Sequence, residues 1–220
     1  MVAIALDSSF GDVSVAILTA DGRGFSDVRR PERGGADELV AMIAAGFAAV
    51  GLTGPDLTEI FVTSGPGTFT GQRAAIAAAQ GLQVASGADA FLFSSLHAMA
   101  LTAGTDGPTI VLVDARRGGA YLQSFNEALS PLAPPRLMPV AAAIDEASAF
   151  RGTCLTPNPS WLSDTDPALA ATAQPIGPPA IRAEVFLGAA ERLSLAPASK
   201  IRPDYLRPPD AAPSQPLPRA

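Results

Sequence analysis

One pattern occurs twice in this chain, about half its length apart. An apolar run at residues 2–6 ends in Asp7 and is followed by a glycine turn and a second apolar run; the run at residues 109–113 ends in Asp114 with the same sequel. Each copy is typical of an antiparallel hairpin whose turn carries a carboxylate. The repeat predicts two related lobes, although so short a match could also arise by chance.

Hydrophobic spacing predicts the elements of the first half. Apolar runs predict strands at residues 2–6, 13–18, 25–28, 60–63 and 90–93. Helical spacing predicts helices over Ala36–Val50, over residues 72–85 and from Ser94 onward, with Gly51 ending the first. The predicted order is therefore β-β-β-α-β-α-β-α, which is an α/β fold.

Prolines divide the second half of the chain. The sequence contains 21 prolines, and those after about residue 130 interrupt any long helix, so we expect short elements on loops. Residues 181–195 are the exception, because their apolar spacing predicts a last helix. We divide the chain into a first lobe at 1–106, a smaller proline-rich lobe at 107–207 and a disordered tail at 208–220.

The most distinctive short segment is Ser-Gly-Pro-Gly-Thr-Phe-Thr-Gly-Gln-Arg at residues 64–73, hereafter the glycine segment. It connects a predicted strand to a predicted helix, where backbone N–H groups attract anions. It matches neither the P-loop nor the Gly-x-Gly-x-x-Gly pattern. The segment could therefore be a phosphate cradle or only a tight turn.

The candidate contacts for a nucleotide or anion lie in this segment and in the two hairpin turns. They are Asp7, Ser8, Ser9, Gly65, Gly67, Thr68, Thr70 and Asp114. If the two aspartates faced each other across a cleft, they could hold Mg²⁺ while the turn amides held phosphate. In the other interpretation each aspartate only accepts a hydrogen bond from its own turn.

Composition excludes several classes of function. The single His97 cannot supply the ligands of a catalytic zinc site and is typical of a structural or surface histidine, so we expect no metal. The single Cys154 excludes an internal disulfide. The net charge of −6 argues against a broad nucleic-acid-binding face. With no membrane-length apolar run and no signal sequence, we expect a cytoplasmic protein.

The hairpin turns, the glycine segment and the C-terminal end together resemble the TsaB family, also called YeaZ. The matching pieces are Asp7-Ser8-Ser9, residues 65–73, Gln80-Gly81-Leu82, Asp114-Ala115-Arg116 with Gly118 and Tyr121, and residues 203–207. The resemblance covers roughly residues 1–125 and a short C-terminal patch. It implies the two-lobed actin-like fold (ASKHA, RNase H-like), in which each lobe is a mixed β-sheet that opens with antiparallel hairpins and is flanked by helices.

The resemblance also implies a role without catalytic residues. TsaB is an accessory subunit in the synthesis of N6-threonylcarbamoyladenosine at position 37 of tRNA, so this chain would bind and activate TsaD, together with TsaE. No cofactor is implied for the chain itself, although ATP or ADP could lie at the TsaD interface. The tRNA would be contacted through TsaD, no membrane would be involved, and the free protein could form a homodimer.

The family interface is implied to lie on the two first-lobe helices. The residues expected there are Leu39, Val40, Met42, Ile43, Phe47, Arg73, Ile76, Ala77 and Gln80. A role in the core alone stays open for the apolar members of this set. Many relatives carry a polar pair before the first helix where this chain has Gly34, Gly35 and Ala36, so a contact that depends on that pair is not carried over to this chain.

Two enzymatic alternatives stay open. One is a small ATP-dependent kinase or ATPase of the actin-like fold that uses Asp7 and Asp114. The other is a glycoprotease, a label that relatives have carried and that the single histidine disfavours.

Overall fold

The computed structural model describes residues 1–32, 35–187 and 189–207. The first lobe contains β1 (Ala3–Asp7), β2 (Val13–Leu18), β3 (Gly24–Arg29), α1 (Ala36–Val50), β4 (Glu59–Gly65), α2 (Phe69–Ser86), β5 (Asp89–Ser94) and α3 (Ser95–Ala103). The elements that follow are β6 (Thr109–Arg116), β7 (Gly119–Phe125), β8 (Arg136–Pro139), α4 (Val140–Ala149), β9 (Thr153–Thr156), α5 (Pro167–Thr172), β10 (Gln174–Pro175) and α6 (Ala189–Arg192). Short 3₁₀ turns lie at Gly54–Asp56, Pro159–Leu162 and Ala183–Phe186. The predicted order of the first half is confirmed.

Each lobe is built on its own five-stranded sheet, and the two sheets have the same topology. The strand order is β3-β2-β1-β4-β5 in the first lobe and β8-β7-β6-β9-β10 in the second. In each sheet the first three strands pair antiparallel, and the last two join in parallel. A helix follows the third strand in both lobes, α1 in one and α4 in the other. The predicted duplication and the two-lobed α/β class with mixed sheets are therefore confirmed.

Alternation along the strands divides the core into layers. Ile4 and Leu6 of β1 pack under α1 and α2, whereas Ala3 and Ala5 face an inner core that contains Met99 of α3. The inner core also includes residues of β6, β7 and the last 3₁₀ turn, so it joins the lobes. A third cluster fills the space between the second sheet and α4 and α5. In the described part of the chain, no helix is long and apolar enough to cross a bilayer.

Local capping explains where the first-lobe helices begin and end. Acidic residues occupy the first turn of α1, where they complement the helix dipole, and Gly51 ends the helix in the left-handed conformation at φ 67°. Helix α2 begins at Phe69, earlier than the predicted residue 72. The reason is that the Thr68 side chain accepts a hydrogen bond from the Gly71 N–H (3.3 Å) and caps the helix.

The predicted last helix over residues 181–195 is wrong. The 3₁₀ turn at Ala183–Phe186 is followed by extended backbone at Leu187 (φ −60°, ψ 120°), and α6 begins beyond it. This break lets the fully buried Phe186 stack on Phe93, with ring centroids 5.2 Å apart. Burial of an aromatic ring between the lobes therefore overrides the helical pattern.

The segment at residues 201–204 returns to the first lobe. Ile201 is buried in the core beneath α1 and α2, and its carbonyl accepts a hydrogen bond from the Gln80 side-chain amide (2.8 Å). The Asp204 N–H donates to the Ser64 carbonyl (2.7 Å). Two sequence-based predictions fall outside the described residues, those for Gly34 and for the tail at 208–220.

Candidate functional site

A cleft of about 610 Å³ opens between the lobes. Its walls are formed by Phe10, Pro66, Gly67, Thr68, Phe69, Gln72, Asp114, Ala115, Arg116, Tyr121, Tyr205, Leu206 and Arg207. Four segments meet there: the β1–β2 turn, the glycine segment, the β6–β7 turn and the C-terminal end. These are the segments that carried the resemblance in the sequence, and the fold brings them to one place. The volume lies within the range of small-molecule sites.

Asp7 lies beneath the cleft and does not form its wall. Its side chain is 2% exposed, and Oδ1 accepts hydrogen bonds from the Thr63 hydroxyl (2.5 Å) and the Ser9 N–H (3.2 Å). The Ser9 hydroxyl in turn bonds the Thr63 hydroxyl (3.0 Å) and accepts from the Ser95 hydroxyl (2.8 Å). Burial raises the pKa of Asp7 from 3.8 to about 6, against the hydrogen bonds, which lower it. The Asp7 carboxyl therefore belongs to a buried hydrogen-bond network with the hydroxyls of Thr63, Ser9 and Ser95.

The glycine segment packs directly on the β1–β2 turn. The Thr68 N–H donates to the Ser9 carbonyl (2.7 Å), and the Ser8 hydroxyl donates to the Gly71 carbonyl (2.7 Å). A Cβ on Gly67 would lie 2.4 Å from the Ser9 carbonyl oxygen, and one on Gly71 would lie 1.8 Å from the Ser8 carbonyl oxygen. Glycine is required at both positions because backbone meets backbone. This packing supports the tight-turn interpretation of the segment over the phosphate cradle.

Asp114 is the counterpart of Asp7 in the second lobe, but it lies on the cleft wall. Its Oδ1 accepts a hydrogen bond from the Arg116 N–H (2.6 Å), two residues on, as Asp7 accepts from the N–H of Ser9. Both aspartates therefore bond their own turns, as in the second interpretation of the repeat, and Asp7 also accepts from the Thr63 hydroxyl of β4. Asp114 is exposed, whereas Asp7 is buried.

The remaining predicted anion contacts differ in position. Thr68 and Gly67 line the cleft, and Thr70 is exposed in the first turn of α2 without forming the wall. Gly65 is buried at φ 118°, where a Cβ would meet the Gln72 side chain and the Asp204 carbonyl oxygen. The structure thus brings three of the eight predicted contacts to the cleft wall, the two above and Asp114.

Aromatic rings and arginines complete the wall. Phe69 stacks on Tyr205 with ring centroids 5.2 Å apart, and Arg73 lies over the Phe69 ring at 4.9 Å. Arg207 donates to the Arg116 carbonyl (3.0 Å), which ties the C-terminal end to the β6–β7 turn. The wall carries two guanidinium groups and one carboxylate, so its charge favours an anion.

Gln72 is a wall residue with unmet hydrogen-bonding capacity. It is 2% exposed, and its Oε1 has no donor within hydrogen-bond distance among the described residues. The sequence patterns predicted none of five wall residues, which are Gln72, Phe10, Tyr121, Tyr205 and Arg207. They could have been found from the sequence, because they lie in or next to the motif pieces that resemble the TsaB family.

His97 is part of the aromatic core. Its ring stacks on Phe125 (centroids 5.1 Å apart) and is tilted against Phe93 (5.3 Å), and burial lowers its pKa from 6.5 to about 4. The prediction of a structural histidine is confirmed. Burial also raises the pKa of the Cys154 thiol to about 11. Within the described ranges, no group of three or more side chains is arranged to hold a metal ion.

The predicted partner residues divide into core and surface. Leu39, Met42 and Ile76 are at most 4% exposed and pack beneath the helices, so their assignment to a contact surface is wrong. These three side chains face the sheet because burial there removes large apolar groups from water. The exposed members are Val40, Arg73, Ala77 and Gln80, and the half-buried ones are Ile43 and Phe47.

The outer face of α1 and α2 is made mainly of small side chains without charge. The exposed positions of α1 after its acidic first turn are Val40, Ala41, Ala44, Ala45, Ala48 and Ala49, and neighbouring exposed positions of α2 include Ala77, Gly81, Val84 and Ala85. The sequence has no charged residue from 39 to 55. We call this surface the helical face. An exposed apolar surface of this kind is typical of a region that a partner covers.

A family model described as TsaD, tRNA N6-adenosine threonylcarbamoyltransferase, matches residues 32–151, which is more than half of the chain. The chain belongs to this family. The matched part of this TsaD-family chain includes the helical face, the glycine segment and the β6–β7 turn. It does not include the turn that carries Asp7.

Uncharacterized proteins of Mycobacterium bovis and Mycobacterium tuberculosis are similar to this TsaD-family chain. Each is 33% identical over 137 residues, which cover 57% of this chain and 64% of the relative. The chain therefore matches less than two thirds of the length of these relatives.

Two solved structures from Pseudomonas aeruginosa share the fold over nearly the whole chain. YeaZ is 23% identical and covers 93% of this chain, and an uncharacterized protein with similarity to peptidase YeaZ is 24% identical and covers 94%. The TM-score is 0.73 in both cases, and 99% of each solved chain is covered. The resemblance to YeaZ predicted from the sequence is confirmed at the level of the fold.

Proposed function

We propose that this chain is a non-catalytic subunit that binds and activates TsaD, together with TsaE, in the synthesis of N6-threonylcarbamoyladenosine at position 37 of tRNA. The observation that carries the proposal is the uncharged helical face on a chain of the TsaD family. The family indicates the reaction, and the helical face is the surface to which the partner binds. The tRNA is held through TsaD, and the complex acts in the cytoplasm.

The helical face suits close packing against helices of another subunit. Val40, Ala44 and Ala48 are spaced four residues apart, so they form one ridge along α1. Small side chains on a ridge let a partner helix approach closely, and their transfer from water stabilises the contact. Arg73, at the edge of this face on α2, adds a charge that can form the polar rim of an interface.

The contacts of the two acidic turns support a role without catalysis. A kinase or ATPase would need Asp7 and Asp114 on one ligand, but Asp7 is covered and bonded to the Thr63 hydroxyl. His97, which a glycoprotease would use, is packed between two phenylalanine rings. In our proposal any ATP or ADP lies at the TsaD interface. Mg²⁺-dependent ATP turnover by the isolated chain, lost in Asp7→Ala, would instead favour the enzymatic alternative.

Binding to TsaD tests the proposal through one surface residue. Val40 is 64% exposed on the helical face, and Leu132 is 60% exposed on the second lobe. We expect Val40→Glu to weaken TsaD binding about tenfold or more, because a buried, unpaired carboxylate costs more than about 1.4 kcal/mol. Leu132→Glu is the matched control and should leave the affinity unchanged. Isothermal titration calorimetry with TsaD of the same organism measures both.

The proposal is abandoned if the wild-type chain neither co-elutes with TsaD nor gives a calorimetric signal at micromolar concentrations. It also fails if Val40→Glu and Leu132→Glu bind TsaD equally well. The same two variants test the homodimer, since sedimentation of the free protein should show a dimer that Val40→Glu converts to monomer and Leu132→Glu does not.

A further inference from the structure

We infer that a strip of basic side chains along the segment at residues 200–207 binds unpaired RNA through its phosphates and bases. The basic strip consists of the cations Arg73, Arg116, Lys200, Arg202 and Arg207 and of the rings of Phe69 and Tyr205. The inference goes beyond the proposed function, in which the tRNA is held through TsaD, because it gives this chain a direct contact with RNA. It is tested on the isolated chain, so it can fail while the proposed function holds.

Direct contacts join most members of the basic strip. Arg73 lies over the Phe69 ring at 4.9 Å, and Phe69 stacks on Tyr205 with ring centroids 5.2 Å apart. Two residues beyond Tyr205, Arg207 donates to the Arg116 carbonyl (3.0 Å), which extends the strip onto the second lobe. Guanidinium groups and aromatic rings are therefore neighbours along this surface.

Gln80 places the other two cations beside α2. Its side-chain amide donates to the Ile201 carbonyl (2.8 Å), and Ile201 lies between Lys200 and Arg202 in the sequence. Gln80 follows Arg73 by about two turns of α2, so the two side chains lie on the same side of the helix, about 10 Å apart. The basic strip therefore continues along α2 beyond the aromatic rings.

The basic strip is positive on an acidic chain. None of its five cations forms an ion pair among residues 1–32, 35–187 and 189–207. The carboxylates beside them are Asp114 and Asp204, so the strip has an excess of positive charge although the net charge of the chain is −6. That net charge argues against a broad nucleic-acid-binding face, but a narrow strip of unpaired cations still attracts a polyanion.

Five arginines elsewhere in the chain show the contrast. Each is paired with an acidic side chain; they are Arg23, Arg29, Arg30, Arg136 and Arg182. The cations of the basic strip thus keep their charge available for a partner.

The exposed rings favour nucleotide bases over an acidic polypeptide as that partner. Phe69 and Tyr205 remain 46% and 40% exposed although both are large. Aromatic side chains next to arginines are the usual surface for unpaired nucleotides, because each base can stack on a ring while its phosphate contacts a cation. An acidic polypeptide would need the cations but not the rings. Base-paired RNA would leave the rings unused, since its bases are stacked on one another.

The backbone of the β6–β7 turn supports a role for its arginines. Arg116 and Arg117 both adopt the left-handed conformation, at φ 60° and 54°, where glycine or asparagine is favoured. Residues in such conformations cost free energy and cluster at functional sites. The turn is held by the Arg116 N–H, which donates to Asp114 Oδ1 (2.6 Å). Arginine therefore stands at this end of the strip although the fold alone favours other residues there.

Fluorescence anisotropy of a labelled RNA hairpin with an unpaired loop measures binding to the full chain. A blunt RNA duplex and polyglutamate serve as unlabelled competitors, since the first lacks free bases and the second lacks bases altogether. Binding should weaken with salt, and the slope of log K against log salt concentration should be about −0.7 for each phosphate contacted.

The charge variants remove cations that lie outside the cleft. Lys200 and Arg202 are exposed and do not line the cleft, so a mononucleotide in the cleft would not depend on them. We expect the double variant Lys200→Gln, Arg202→Gln to weaken hairpin binding about tenfold and to reduce the salt slope by about 1.4. Arg151→Gln is the matched control, because Arg151 is also exposed and forms no ion pair among the described residues.

The ring variants separate stacking from charge. Tyr205→Leu keeps an apolar contact for Phe69 and removes the ring, and should weaken hairpin binding about tenfold with an unchanged salt slope. Tyr205→Phe keeps the ring and should bind as the wild type does. A salt slope that changed with the ring, or stayed constant without the cations, would contradict the assignment of phosphates to the cations and bases to the rings.

The inference is supported if the hairpin competes better than the duplex and polyglutamate, and if the double variant and Tyr205→Leu lose affinity while Arg151→Gln and Tyr205→Phe keep it. It is overturned if the hairpin does not bind at about 100 μM protein in low salt. Equal competition by polyglutamate also overturns it and indicates an acidic protein as the partner. Wild-type affinity in the double variant overturns it too, since any nucleotide would then be confined to the cleft. None of these results bears on TsaD binding, which Val40→Glu tests separately.

Discussion

The two hairpin turns occupy equivalent places in their lobes and yet have opposite surroundings. In both, an aspartate at the end of the first strand accepts a hydrogen bond from the N–H two residues on. Asp7 is then buried in a network with the hydroxyls of Thr63 and Ser9, and Asp114 is left on the wall of the cleft. A repeated turn thus preserves a local hydrogen bond, while the surroundings of the turn determine whether the carboxylate can contact a ligand.

The largest expected effect comes from disrupting the contact between the glycine segment and the turn that carries Asp7. A Cβ on Gly71 would lie 1.8 Å from the Ser8 carbonyl oxygen, and Gly81 on the same helix has nothing within 4 Å. Gly71→Ala should therefore cost about 4 kcal/mol or more of the free energy of unfolding, or abolish folding. Gly81→Ala should stabilise the chain by about 0.5–1 kcal/mol, since alanine favours a helix. Urea unfolding followed by circular dichroism compares the two variants. Equal stabilities would show that the contact between Gly71 and the Ser8 carbonyl has room for a side chain.

The second effect is the pH dependence of stability that arises from the buried carboxyl of Asp7. Because the folded state raises the pKa of Asp7 from 3.8 to about 6, its contribution to stability is full below pH 3.8 and is lost as the pH rises through 6. The loss amounts to about 3 kcal/mol. His97, whose pKa is lowered from 6.5 to about 4, acts in the opposite sense: its contribution is present above pH 6.5 and is lost as the pH falls through 4.

Asp7→Asn isolates the contribution of the first carboxyl. In the wild type the two titrations oppose each other between about pH 4 and 6, so stability should change little there. In Asp7→Asn the effect of His97 remains, and stability should fall on acidification by about 3 kcal/mol. Urea midpoints measured across this pH range give both curves. Parallel curves for the variant and the wild type would mean that Asp7 titrates as an exposed carboxyl does.

The third effect compares the hydrogen bonds of the two turns. Thr63→Val removes a buried hydroxyl donor to Asp7 without changing the volume of the side chain, and should cost about 2 kcal/mol at neutral pH. Asp114→Asn, on the exposed turn, should change the free energy of unfolding by less than about 0.5 kcal/mol. Chemical denaturation of both variants at pH 7 is the measurement. A cost for Asp114→Asn as large as that for Thr63→Val would show that exposure does not separate the turns.

Much of the fold could be predicted from local sequence patterns. The bounds of α1 could be predicted because apolar spacing, an acidic first turn and Gly51 all indicate the same helix. The start of α2 was missed because the capping role of Thr68 depends on its extended backbone (φ −68°, ψ 138°), which the sequence pattern does not display. The last predicted helix failed because Phe186 gains more from burial against Phe93 than from helical spacing.

The site depended on contacts that the sequence does not display. Motif pieces separated by more than a hundred residues line one cleft only because the inner core joins the lobes and the C-terminal end crosses between them. The apolar runs of β1 and β2 could be predicted, but not that the glycine segment packs on the turn between them. Likewise, helical spacing marked Leu39 and Met42 as apolar without showing that they face the sheet and Val40 faces solvent.

The return of residues 201–204 to the first lobe has a consequence for biosynthesis. The first-lobe core includes Ile201, whose carbonyl is bonded by Gln80, and the glycine segment is held by the Asp204 N–H. On the ribosome, Gln80 therefore gains its partner Ile201 only after a further 121 residues have been synthesised, so the core of the first lobe is completed long after its own strands are made.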